Sequence, residues 1–83
     1  MKLILYNGQK NIAGERIRQL RKERKITQQQ LARLVSAYGV YMDRITITKI
    51  ETGSRVCFDF EVSALAQALG VGVQDLLADY IES

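Results

Sequence analysis

Eighty-three residues suffice for one small domain that buries only about 60% of the surface its unfolded chain exposes, so a second folded core has no room. With one cysteine, Cys57, no histidine and no close cluster of acids, the chain supports no internal disulfide, no zinc site and no general acid–base pair; it reads as non-enzymatic, without cofactor or metal. Net charge is only +3, but residues 16 to 55 carry ten Lys or Arg against three acids, whereas residues 56 to 83 carry five acids and no base, a split that fits one face made for a polyanion or, equally, solvated helix faces.

The apolar run Leu3-Ile4-Leu5-Tyr6 is too short for a membrane span or a signal-peptide core, so a soluble, cytoplasmic protein is expected. Followed by the turn dipeptide Asn7-Gly8, it reads as a short strand, a docked arm or a frayed end, and residues 1–10 are set apart as an N-terminal arm from a domain over 11–83. From there apolar residues recur at helical spacing, and no proline, repeat or low-complexity tract interrupts them. The chain is therefore expected to be all-α, with five short helices.

Asn11 is placed as the cap of a first helix reaching Lys25, with Ala13, Ile17 and Leu20 as its inward stripe and a basic opposite face. Thr27-Gln28-Gln29-Gln30 is a capping box that opens a second helix, for which Leu31, Leu34 and Val35 are the expected core side. That helix should stop near Ala37, ahead of Tyr38-Gly39-Val40-Tyr41. Asp43 caps a third helix from Arg44 to about Thr52, closed by a left-handed Gly53. Asp59 is assigned as cap of a fourth, with Val62, Leu65, Ala66 and Leu69 buried and Gly70 as the stop. A fifth, from Gly72, carries Leu76, Leu77 and Tyr80, and Cys57 reads as a small buried or half-buried apolar residue.

The third helix carries the functional signal. At roughly 100° per residue, Ile47, Ile50 and Glu51 share one side, while Ile45, Thr48, Lys49 and Thr52 look the other way. An isoleucine exposed between a lysine and threonines suits the major groove of DNA, where apolar groups meet thymine methyls, lysine meets guanine acceptors or phosphate, and threonine serves either. Arg44, in the first turn, reaches the same surface. The plain alternative is that Ile45 packs on the preceding loop and the polar residues are merely solvated.

Sequence context decides between these. Gly14-Glu15-Arg16-Ile17-Arg18-Gln19-Leu20-Arg21-Lys22-Glu23-Arg24, then Thr27-Gln28-Gln29-Gln30-Leu31-Ala32, then Ile47-Thr48-Lys49-Ile50-Glu51-Thr52-Gly53, then Leu65-Ala66-Gln67-Ala68-Leu69-Gly70-Val71 with Asp75-Leu76-Leu77 after it, in this order and spacing, resemble the helix-turn-helix family of phage repressors and Cro, the XRE family. The resemblance covers roughly residues 11 to 77 and implies a compact five-helix, lambda-repressor-like DNA-binding domain. It further implies that Thr27 and Gln28, at the start of the second helix, contact phosphate. Arg44, Ile45 and Lys49 fall on base-reading positions, Thr46, Thr48 and Thr52 on supporting ones, and Ser54 and Arg55 in the loop that meets the backbone beyond the reader. Glu51 is implied to pair with Arg21 as a structural element.

One departure from the pattern stands out. Ala32 and Ile47 lie fifteen positions apart where the family has roughly ten, so the turn between the second and third helices is about five residues longer than a tight one. Tyr38, Tyr41 and Met42 are expected to cover a small core of this loop; direct DNA contact by a tyrosine is the other option. The resulting expectation is a sequence-specific double-stranded DNA binder, a small transcriptional regulator of repressor type acting as a homodimer. Leu76, Leu77, Tyr80 and Ile81, or else the Leu3–Tyr6 arm, are candidate dimer surfaces, with packing inside the chain as the alternative for both. The competing function is an antitoxin-like or adaptor module whose acidic half engages a protein partner and whose DNA binding is weak.

Overall fold

The structure, a computed structural model, describes residues 8–81, and their side chains as far as Leu77. The candidate arm over Leu3–Tyr6 lies outside the described residues, as do the side chains of Tyr80 and Ile81, so neither candidate dimer surface is fully described. Five helices follow one another: α1 (Gly14–Glu23), α2 (Gln28–Ser36), α3 (Arg44–Glu51), α4 (Asp59–Leu69) and α5 (Val73–Ile81), with no strand among the described residues. None of these helices is long and apolar enough to cross a membrane.

Local chemistry sets most helix ends. The Thr27 hydroxyl accepts from the Gln30 amide (3.0 Å) and the Gln30 side chain accepts from the Thr27 amide (2.7 Å), the reciprocal box that satisfies two end-group donors. Asp43 accepts from the Thr46 amide (2.8 Å), and that bond is the main reason its carboxyl is held below the usual range. Gly53 (φ +77°) and Gly70 (φ +74°) end α3 and α4 in the left-handed region, with the 6→1 and 5→2 hydrogen bonds of the Schellman motif behind each. The same motif ends α1 two residues earlier than expected, at Glu23, because Lys25 takes the left-handed position (φ +57°) and the Ile26 amide turns back to the Arg21 carbonyl (3.3 Å). At α4 the cap position is Phe58, not Asp59, since the Glu61 carboxylate three residues on accepts from the Phe58 amide (2.9 Å) and draws the start of the helix forward.

The core is built from the stripes the spacing predicts. Ile17, Leu31, Val35, Ile47, Ile50 and Leu65 are wholly inaccessible, or nearly so, and Leu20, Val62, Leu69 and Leu76 join them. Burial of each such side chain contributes roughly 1.5–3 kcal/mol before entropy is counted. α2 packs on both α3 and α4, α1 on α3, α4 and α5, and α4 on α5. Two expectations for the apolar residues are corrected. Leu34 is 43% exposed, whereas Ala32 is buried on the core side of α2. On the connecting loop only Met42 is buried, and it enters the common core with Val40 half-buried against it; Tyr38 and Tyr41 are 48% and 82% exposed, so the loop has no core of its own.

One close approach fixes α1 against the reader. A β-carbon at Gly14 would collide with the main-chain carbonyl oxygen of Ile50 near the end of α3. Glycine is thus demanded there by a backbone-to-backbone contact.

Candidate nucleic-acid interface

A buried polar network fixes α3 against α1 and α2. The Arg21 guanidinium donates through Nε to Glu51 Oε2 (2.7 Å) and through one Nη to Oε1 (3.1 Å), while its other Nη donates to the Ile26 carbonyl (3.0 Å). Glu51 Oε1 also accepts from the Gln28 amide nitrogen (3.0 Å), and the Gln28 amide oxygen accepts from the Thr48 hydroxyl (2.8 Å). Side chains of the three helices are therefore bonded in one chain, with Arg21 and Glu51 only 9% and 6% exposed. The pairing implied for Arg21 and Glu51 is present, and the carboxylate raises the already high arginine pKa.

Consequences follow for the proposed contacts. Gln28 sits at the start of α2 but spends its carbonyl and one N–H on this network, and the Thr48 hydroxyl hydrogen is likewise spent, with the Arg44 carbonyl also in reach at 3.0 Å. Arg55 is committed more fully. Its two terminal nitrogens form a bidentate pair with Glu61 (2.9 and 3.0 Å), one also donates to the Val56 carbonyl (2.8 Å), and its guanidinium lies 5.9 Å from the centre of the Phe58 ring. Burial pushes the Glu61 carboxyl up, but the Arg55 bonds and the Phe58 amide outweigh it and leave the group below its ordinary value. Nearby Cys57 is half-buried, as expected, and burial pushes its thiol up to about 12, so it is protonated and inert at neutral pH.

The outward side of α3 is uncovered. Ile45 is 55% exposed, and Arg44, Lys49 and Thr52 are exposed, while Thr46 and Thr48 are half-buried. Neither Arg44 nor Lys49 makes an ion pair among the described residues. Thr52 and Ser54 share a hydroxyl–hydroxyl bond (3.1 Å) and both approach the Lys49 carbonyl (3.2 and 3.3 Å), which orders the turn beyond the reader. An open groove beside α3 is lined by Ile45, Thr46 and Lys49 of the helix together with Lys10, Ser54 and Arg55. Thr27, its hydroxyl accepting from Gln30, remains exposed at the N-terminus of α2.

Sequence reasoning missed two residues of this region. The cap position of α1 is Ala13, not Asn11; the Asn11 oxygen accepts from the Gly14 amide (2.7 Å), and its nitrogen donates to the carbonyls of Ile50 (3.0 Å) and Arg55 (2.8 Å), bracketing both ends of the turn after α3. Lys10, in the N-terminal arm, donates its amide to the Gly53 carbonyl (2.8 Å). Only the neighbouring turn signals at Asn7-Gly8 and Gly53 hinted that these segments meet.

A capped helix, a turn and a second capped helix whose outer side stands clear of the core define a helix-turn-helix domain, a DNA-binding class that generally carries no enzymatic activity. The profile of the helix-turn-helix domain family matches residues 12–79, and the chain belongs to that family, in agreement with its repressor/Cro-type resemblance. No curated protein and no solved structure gives a significant match.

Proposed function

We infer that the protein binds a specific double-stranded DNA sequence as a homodimer and acts as a small cytoplasmic transcriptional regulator of repressor type. The observation that carries this reading is the bare outer side of α3, where an isoleucine stands 55% exposed between two cationic side chains on a helix otherwise locked in place from within. Exposing an isoleucine forgoes burial energy, and the thymine methyls of a major groove would recover it. In this reading Arg44, Ile45 and Lys49 read base edges, and Thr46 and Thr52 support them. Thr27 and the spare N–H of Gln28 meet phosphate at the α2 N-terminus, where unpaired amides favour an anion. Ser54 contacts the backbone beyond the reader, while Arg55 serves chiefly to hold the loop through Glu61.

Selection of bound duplexes from a random pool tests the proposal. A consensus with two related half-sites about one helical turn apart is the expected result, with affinity falling steeply as salt rises. A second reading, an antitoxin-like or adaptor module, draws on Phe58 and Phe60, which are 51% and 57% exposed and stacked at 5.7 Å. Failure of any duplex to enrich, together with stoichiometric co-purification of a protein partner, would favour it.

A further inference from the structure

One residue lining the groove beside α3, Lys10, lies outside the family motifs. Residues 9–11 hang on the turn after the reader through independent contacts: the Lys10 amide on the Gly53 carbonyl, the Asn11 side chain on the Ile50 and Arg55 carbonyls, and the Gln9 side chain in the space over Gly53 where a β-carbon would stand. The main chain of Lys10 is therefore carried by α3 itself, and any pose of the reader on a duplex brings Lys10 with it.

Charge along the groove is uneven. Asp43 stands at the end where α3 begins, its carboxylate turned to the Thr46 amide; Lys49 lies in the last turn of α3, and Ser54 and the main chain of Lys10 lie at the turn beyond it. Arg55, which also borders the groove, is neutralised by Glu61. Lys10 is exposed and, among the described residues, makes no ion pair. α3 rises only about 12 Å over its length, so the trough is short, bordered by the reader and by a lysine whose main chain is anchored to the turn after it. Such a trough takes a single polyanionic strand lying along a helix that sits in the adjacent groove.

We propose that one sugar–phosphate strand of the duplex passes along the Lys10 and Ser54 border of this trough while Ile45 and Lys49 meet the bases, and that the Lys10 ammonium is a phosphate contact, placed by the Asn11 and Gly53 bonds and indifferent to sequence. The inference rests on α3 being the duplex reader. It adds to that reading a contact outside the helix-turn-helix unit proper, one that pins the C-terminal end of the reader to the backbone.

The test uses the full chain and compares wild type, Lys10→Ala and Lys10→Arg by fluorescence anisotropy over a salt series, on the duplex selected from the random pool and on a scrambled one. Removing one phosphate contact should lower the log–log salt slope by about 0.9 and weaken binding about 8-fold at 0.1 M salt, equally on both duplexes. Lys10→Arg should keep the wild-type slope. Because the side chain is exposed and the bond to Gly53 comes from the main chain, thermal melts of the variants should match wild type. Wild-type binding with an unchanged slope in Lys10→Ala would overturn the Lys10 assignment and leave the reader intact. Weakening confined to the selected duplex in Lys10→Ala would overturn it differently, by making Lys10 a base contact. Absence of salt-dependent duplex binding by the wild type would instead remove the reading on which the inference stands.

Discussion

Glu51→Ala tests how the reader is held. The Glu51 carboxylate accepts two bonds from Arg21 and one from Gln28. Its loss strands the guanidinium of a buried arginine, which keeps a single carbonyl, that of Ile26, as partner. Breaking a buried ion pair by removing one member costs about 3–5 kcal/mol. The Arg21 side chain retains a little solvent access at 11%, which places the cost near the lower end, about 3 kcal/mol. Against a total stability of about 4–12 kcal/mol for a domain of this size, that is a large fraction. With roughly 4–8 °C lost per kcal/mol, the melting temperature should fall by about 12–24 °C.

Far-ultraviolet circular dichroism melts and urea titrations of wild type and Glu51→Ala measure this directly. The decisive companion is Arg21→Met combined with Glu51→Leu, which removes both charges and fills the space with apolar atoms; it should recover most of the lost stability, since no unpaired charge remains. The reasoning is refuted if Glu51→Ala costs less than about 1 kcal/mol, or if the double variant is as damaged as the single one. The first result would mean that water or a rearranged partner satisfies Arg21; the second, that the loss does not come from a stranded charge.

Further outcomes follow from the same geometry. Lys49→Ala and Arg44→Ala, both at exposed positions, should each cost about 1–3 kcal/mol of specific binding and relax the selected consensus with little change in melting temperature; an unaltered site preference in Lys49→Ala would refute its base-reading role. Gly14→Ala should destabilise by about 1–3 kcal/mol despite the better helix propensity of alanine, because the added carbon meets the Ile50 carbonyl and α1 must retreat from α3; a gain in stability on urea titration would show the contact to be soft. The folded-state pKa of Glu61 is lowered, so the unfolded chain takes up the proton first as pH falls. The Arg55–Glu61 contribution is then present in full above the ordinary carboxyl range near 4.5 and disappears as pH drops through the lower folded value. Stability of Glu61→Gln measured from neutral to acid pH should accordingly fall less steeply than that of wild type.

Much of the domain was legible in the chain because its rules are local. A capping box and the Asp43 cap act over three residues, a left-handed glycine closes a helix within one turn, and an apolar stripe repeats every three or four positions. These signals located all five helices and put Ile47 and Ile50 inside with Ile45 and Lys49 outside, as the burial pattern has it. Leu34, Tyr38 and Tyr41 were misjudged because an apolar side chain at a stripe's edge, or on a loop, is covered only if another element arrives there. No sequence spacing records that arrival.

The candidate site divides along the same line. That the helix after Asp43 has a cationic, threonine-rich outer side follows from residue order alone, because a helix of fixed pitch sorts its side chains by position. Which of the basic groups remain available was decided by folding: Arg55 meets Glu61 and is spent, Arg21 meets Glu51 and is buried, and Lys10 is brought to the reader by carbonyls some forty residues away in the chain. Long-range pairings such as Arg21 with Glu51 depend on distances set by the packed core, so they exist only once the helices have assembled.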